Sequence, residues 1–240
     1  MRIDKLLANE GYGSRKEVKQ LLKQGAVRQN DHVIKNGKTH VDPVNENITV
    51  FGEQVTYKPF VYFMLHKPAG VITATEDSRD ETVLDLLDPL DQLREPFPVG
   101  RLDKDTEGLL LITNDGKLAH QLLSPKKNIG KTYYARIDGK VTKADVDAFQ
   151  QGVQLDDGYV TKPAELEVIN SDEESEIYVT ITEGKYHQVK RMFAAVDKYV
   201  RYLKRVSMGD WHLDDQLEKG EYRELDEQEV YYLKHLEAKK

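Results

Sequence analysis

Apolar residues fall in two rhythms along this chain. Near the N-terminus they recur at three- and four-residue intervals, as Ile3, Leu6 and Leu7 and then Val18, Leu21 and Leu22. At about 100° per residue each set lies on one side of a helix. The spacing predicts a short helix over residues 2–10, broken by Gly11 and Gly13, and a second helix after it. Ser14-Arg15-Lys16-Glu17 has the form of a capping box, a hydroxyl to accept from the third amide and a carboxylate to reach back. Gly25 marks the end of that helix. Lys16, Lys19 and Lys23 fall together, away from the apolar stripe. A turn at Asn30-Asp31 and a short strand over residues 48–51 complete a segment with too little core to do chemistry alone. Residues 52–59, Gly-Glu-Gln-Val-Thr-Tyr-Lys-Pro, read as a linker.

Beyond residue 59 the rhythm changes to strand-like apolar runs, at 61–65, 109–113, 132–137, 177–182 and 199–206. Helical spacing returns at 116–123, at 143–151 with Thr142 as its cap, at 187–196 and at 226–235. Strands outnumber helices and do not alternate with them regularly. That pattern predicts an α+β fold rather than a wound parallel sheet. The division it suggests is a small unit over residues 1–58 and a larger one over 59–240. Internal repeats and low-complexity tracts are absent from the sequence.

Composition narrows the function classes. Of 240 residues 39% are hydrophobic, enough for a sizeable core. The chain has no cysteine, which excludes disulfides, thiolate metal sites and a cysteine nucleophile. No apolar stretch approaches the roughly 20 residues that span a bilayer, and residues 1–5 lack the apolar core of a signal peptide. A soluble cytoplasmic protein without membrane partners is expected. The formal net charge of −7 argues at first against nucleic acid, but its distribution reverses that. Seven basic residues stand against two acidic ones over 13–40, six against one over 126–143, and seven against one over 184–205. Acid collects in 172–183 and after Trp211.

Two stretches could carry chemistry. In Val99-Gly-Arg-Leu-Asp-Lys-Asp-Thr-Glu-Gly108 a loop crowded with charge runs into an apolar strand, where carboxylates are costly unless paired or used. Asp103, Asp105, Glu107 and Gly108 imitate the start of a calcium-binding EF-hand loop. The twelfth position is Asn114, however, not the bidentate glutamate that such a loop requires. Gly130-Lys131-Thr132 imitates the end of a phosphate-binding P-loop, but Pro125 stands where its first glycine should be. The histidines are too scattered for a zinc site, so no metal is expected. The second stretch, Glu183 to Val196, places Val189, Met192, Phe193 and Val196 on one helical stripe. His187, Lys190 and Arg191 project elsewhere. A basic face preceded by Tyr186 suits phosphate contact with base stacking.

Taken together these segments resemble the RsuA group of pseudouridine synthases, which modify small-subunit ribosomal RNA. Arg2 to Ile34 is similar to an S4-type RNA-binding module. His66-Lys67-Pro68-Ala69-Gly70 resembles the first motif of the synthase domain, and Gly100-Arg101-Leu102-Asp103 its catalytic motif. Lys131-Thr132-Tyr133 resembles the strand of the active-site tyrosine, and His187-Gln188-Val189-Lys190 the segment bearing the basic partner of the aspartate. Tyr186 to Phe193 is closer to this group than to the large-subunit RluB type. The resemblance implies an S4-like module followed by a synthase domain with a mixed, mainly antiparallel sheet and flanking helices. It implies Asp103, Tyr133 and Lys190 as catalytic residues and no cofactor. Asp103 would serve as nucleophile or as base, the cation would keep it ionised, and Tyr133 would stack on the base. Where the family often has Arg, the aligned residue is Lys190, so the partner is Lys190 or its neighbour Arg191. Arg15, Lys16, Lys19, Lys23, Arg101, Tyr186, His187 and Arg191 are the expected RNA contacts. The implied substrate is uridine 516 of 16S ribosomal RNA, free or in a partly assembled particle, acted on by a monomer. The rival reading is a non-catalytic ribosome-assembly factor on the same fold. An RNA hydrolase would need a metal cluster or a histidine pair, and neither is evident.

Overall fold

The computed structural model describes residues 1–237, and by its contacts the chain divides into two units. The first comprises Met1–Val61 together with Asp88–Pro96; the second comprises Tyr62–Leu87 and the chain from Phe97 onward. The excursion of Asp88–Pro96 into the first unit has no counterpart in the sequence-based division at residue 58.

In the first unit, helices Ile3–Asn9 and Arg15–Lys23 pack on a four-stranded antiparallel sheet. Its strand order is His32–Val33, Val27–Gln29, Ile48–Val50, Glu53–Gln54. The capping box forms as the sequence implies. The Ser14 amide donates to Glu17 Oε2 at 2.7 Å, and the Glu17 amide donates to Ser14 Oγ. Asn30 and Asp31 take φ of 46° and 70°, the positive values that a tight primed hairpin turn needs. Ile3, Leu6, Leu7, Val18 and Leu22 close the core against Val27, Ile48 and Val50. Residues 52–59 are not simply a linker. Phe51 and Gly52 turn the chain with φ of 51° and 87°, Glu53–Gln54 pairs back on Thr49 and Val50, and Val55 is buried in this core.

The second unit is α+β, as expected. One sheet runs in the order Tyr222–Glu224, Tyr62–Lys67, Glu107–Thr113, Tyr199–Met208, Lys131–Asp138, Glu174–Ile181, Glu165–Asn170. Every neighbour in it is antiparallel except Glu107–Thr113 with Tyr199–Met208, which run parallel and pair only as Glu107 with Lys204 and Gly108 with Arg205. Tyr62, Met64, Leu109 and Leu111 face one side, under Leu118 and Leu122 of helix Gly116–Leu123 and Leu233 of helix Glu227–Lys234. Helix Lys143–Gln151, capped by Thr142, and helix Gln188–Ala194 meet through Phe149 and Phe193, with ring centroids 4.8 Å apart. The expected helix over 187–196 is therefore shorter, and His187 stands before it in the left-handed region at φ 48°. Among the described residues no helix is long and apolar enough to cross a membrane.

A seam runs through this sheet. Along Glu107–Thr113 one edge is fully taken by Tyr62–Lys67. The other is shared, by Lys204 and Arg205 at its start and by Phe97–Pro98 and Val99 at its end. The loop from Gly100 to Thr106 issues from that handover.

Candidate active site

Strand Glu107–Thr113 is uniformly apolar apart from its first residue and last, and all seven of its residues are buried. The charged residues before it cannot follow and form a loop at its head. Three contacts tether that loop from the segment after Tyr62–Lys67. The Gly70 amide donates to the Lys104 carbonyl at 2.7 Å, and Thr73 Oγ1 donates to the Leu102 carbonyl at 2.8 Å while accepting from the Leu102 amide at 3.1 Å. Lys67 has no exposed surface. Its Nζ donates to the carbonyls of Thr106 and Pro68 at 2.9 Å and of Lys104 at 3.4 Å, using all three of an ammonium's hydrogens. Burial pulls this lysine down to about 8, against the attraction of Asp105, Glu107 and Asp103. At the strand's second residue the backbones come very close. A Cβ on Gly108, at φ 107°, would lie 2.2 Å from the Arg205 carbonyl oxygen, so only glycine fits.

The second tether fixes the opposite wall. Buried Gln188 accepts from the Lys185 amide at 2.8 Å and donates to Glu183 at 2.9 Å; Glu183 also accepts from Tyr159 and the Lys162 amide. The turn carrying Tyr186 and His187 is thereby held at the head of helix Gln188–Ala194. The two rings stack at 3.8 Å with 17° between planes, and Tyr186 is open to solvent.

Between these walls Lys190 Nζ lies 2.9 Å from Asp103 Oδ2 and 2.6 Å from Asp105 Oδ1. His187 Nε2 stands 3.5 Å from the other oxygen of Asp103. The side chains of Asp103 and Lys190 keep 28% and 25% of their surface, accessible yet partly shielded. Desolvation would lower Lys190, but hydrogen bonds to Asp105 and Asp103 and their charges outweigh it and hold the ammonium above its ordinary value. Asp105 meets the same opposition between burial, which raises it, and Lys190, which holds it below the carboxylate range. A carboxylate is thus presented with a cation on one oxygen and an imidazole near the other, a geometry suited to attack or to proton abstraction.

The remaining sequence-predicted residues divide. Arg191 pairs with Asp156 and, at 2.7 Å, with Asp157, so of the two adjacent cations only Lys190 meets Asp103. Tyr133 is buried in strand Lys131–Asp138, opposite Arg205, which in turn stands opposite Gly108; directly opposed residues share a face of a sheet. Arg101 is exposed on the loop. In the first unit Arg15, Lys16, Lys19 and Lys23 are exposed along one helix. Sequence reasoning did not single out Thr73, Glu183 or the anchoring roles of Lys67 and Gln188. A lysine closing a fully buried strand was the available signal for one of them.

A family model described as RNA pseudouridylate synthase matches residues 61–195, and an S4 domain model matches residues 1–48. A Bacillus subtilis protein described as an uncharacterized RNA pseudouridine synthase is 55% identical over 99% of this chain and all of its own length. The ribosomal small subunit pseudouridine synthase A of Vibrio cholerae is 42% identical over 96% of this chain and 98% of its own. The ribosomal large subunit pseudouridine synthase B of Bacillus subtilis is 37% identical over 98% and 96%. A crystal structure of a pseudouridylate synthase superposes with a TM-score of 0.68 at 36% identity, covering 97% of this chain and 99% of that one.

Proposed function

The chain belongs to the RNA pseudouridine synthase family and carries an N-terminal S4 domain, and from that premise we propose that it isomerises a uridine of small-subunit ribosomal RNA, at position 516 of 16S, with Asp103 as its catalytic carboxylate. The observation that carries the residue assignment is the contact of Lys190 with Asp103 at the head of the strand. Small-subunit RNA is favoured because several relatives bearing that name are 40–42% identical, against 37% for the large-subunit one.

In the reaction the bond from the sugar C1′ to N1 of uracil breaks, the base rotates, and C1′ bonds to C5, whose hydrogen leaves as a proton while N1 takes one up. Electrons and atoms balance without an oxidant or a nucleotide. Asp103 acts beside the sugar as nucleophile or as base. Lys190 holds that carboxylate in place through the 2.9 Å contact, and Asp105 shares the same cation at 2.6 Å. The base must leave its stack to enter. Tyr133 then meets its face, and Arg101, Tyr186 and His187 line the approach of the strand. Arg191, bound to Asp156 and Asp157, braces this wall, with phosphate contact left to its unoccupied hydrogens. Arg15, Lys16, Lys19 and Lys23 hold phosphates of the same RNA on the S4 domain.

The test is release of tritium from small-subunit RNA labelled at uracil C5, with the product mapped to its nucleotide. Stoichiometric release at one position is expected. Release from large-subunit RNA alone would overturn the substrate assignment, and RNA binding without release would make the chain an assembly factor.

A further inference from the structure

The seam in the larger sheet leaves one backbone acceptor without a strand partner. Val99 donates to the Leu111 carbonyl at 2.8 Å, and the chain then turns away at Gly100. The carbonyl of Leu109, two residues back and pointing to the same edge, accepts instead from Arg205 Nε at 2.8 Å. Arg205 is 3% exposed, and its Nη2 is buried with no hydrogen-bond partner. Burying a guanidinium with a hydrogen-bonding group unmet is unfavourable unless something else answers it. Lys131 increases the puzzle. It lies two residues from Tyr133 on an unbulged strand, hence on the same face as Tyr133 and Arg205. Its Nζ reaches only the Ile129 carbonyl, at 3.4 Å. Among the described residues no carboxylate pairs with Lys131 or Arg205. Burial, with Arg205 pushing the same way, brings Lys131 down to about 8 with no anion opposing. Lys67, pulled to a similar value, is opposed by three carboxylates.

The geometry points to an anion seat formed by Lys131 and Arg205, which takes a phosphodiester of the RNA next to the uridine whose base meets Tyr133. It rests on the proposed RNA reading and adds a substrate contact to it. Lys131 is partly exposed, while the neighbouring guanidinium of Arg205 is buried. One phosphate oxygen would satisfy Nη2 and another the ammonium, replacing repulsion between two cations with two charge-assisted bonds. The same bonds would fix the backbone on one side of the flipped nucleotide.

Two measurements on the whole protein test this. In the first, lysines are acetylated in limiting reagent without RNA, and Lys131 is quantified by mass spectrometry in inorganic phosphate and in chloride of equal ionic strength. Phosphate is expected to slow labelling of Lys131 severalfold while leaving Lys16 and Lys19 unchanged; Arg205→Lys should keep part of that protection and Arg205→Gln none. In the second, substrate oligonucleotides carry an uncharged methylphosphonate on either side of the target uridine. The parent should bind one of them about tenfold more weakly, as loss of a charge-assisted contact implies, whereas in Lys131→Gln, which keeps only Arg205, that penalty should be clearly smaller. Equal labelling of Lys131 in phosphate and chloride, or losses that simply add at both linkages, overturns the seat. If phosphate protects Lys131 but the parent neither binds nor modifies the RNA, the substrate reading fails instead and the anion site stands.

Discussion

The larger unit holds two groups of cations that differ in what answers their charge. Lys190 sits between Asp103 and Asp105, and its charge is met inside the protein. Lys131 and Arg205 donate to the carbonyls of Ile129 and Leu109, and among the described residues no carboxylate pairs with either. The first group is finished before a substrate arrives, which suits a centre whose protonation must be fixed in advance. The second is unfinished and becomes favourable only when an anion joins it. Damage to the first should therefore fall on turnover, and damage to the second on binding.

Asp103→Asn should give the largest effect. The amide keeps the shape but cannot act as nucleophile or base, and loss of about 5 kcal/mol of transition-state stabilisation lowers the rate by three to four decades. RNA affinity should stay within a few-fold of the parent. Single-turnover rates and filter binding measure the two quantities separately. A variant that turned over normally while Asp105→Asn did not would move the reaction to the other carboxylate on Lys190.

Lys190→Met comes next. Removing one partner of a buried pair typically costs about 3–5 kcal/mol; with both side chains a quarter exposed, one to two decades in single-turnover rate is the expectation. Lys190→Arg should retain substantial activity. Arg191→Met, which breaks contacts to Asp156 and Asp157 instead, should leave the rate within about fivefold. An inverted order between the two methionine variants would mean that the pairing seen here is not the one used in the complex.

Lys131→Gln should act on the other side of the comparison. About tenfold weaker RNA binding is expected, with the slope of log affinity against log salt shallower by about 0.7 if the strand there is single. The single-turnover rate at saturating RNA should hardly change. A fall in that rate with affinity intact would place Lys131 in the chemistry.

The smallest effect is in pH. Lys131 titrates at about 8, whereas Lys190 lies above the usual lysine range. Raising the pH from 7 to 9 neutralises the first and leaves the second charged. RNA affinity of the parent should fall a few-fold across that interval, and that of Lys131→Gln should not. Equal slopes in both proteins would show that the charge of Lys131 does not reach the RNA.

How much of this was legible in the sequence follows from how local each signal is. The Ser14–Glu17 capping box spans four residues and formed as expected. The strands and helices of the larger unit announced themselves through their spacing, with ends shifted by a few residues. The choice between Lys190 and Arg191 was not legible, because one step on a helix is a rotation of about 100° and nothing local fixes which side meets the loop. Lys67 could be seen as a charge just past an apolar run, but its acceptors at Lys104 and Thr106 lie 37 and 39 residues away. Residues 52–59 looked like a linker because the turn that folds them back uses Phe51-Gly52, which lacks the usual Asn-Gly signature. Arg205 gave no sign at all; its position depends on where one strand hands an edge to another.

The excursion of Asp88–Pro96 bears on the order in which the protein can be made. Glu10 forms a nearly buried ion pair with Arg94, and Lys5 meets Glu95 at 2.9 Å, so the first unit is completed by residues that come about forty positions after its own last strand. Synthesis runs from the N-terminus and domains generally fold as units as they emerge. Here the leading unit cannot be finished when its first 61 residues leave the ribosome. Until Arg94 follows, Glu10 has no Arg94 to pair with, and the N-terminal helices are a nascent structure waiting for a later piece of the chain.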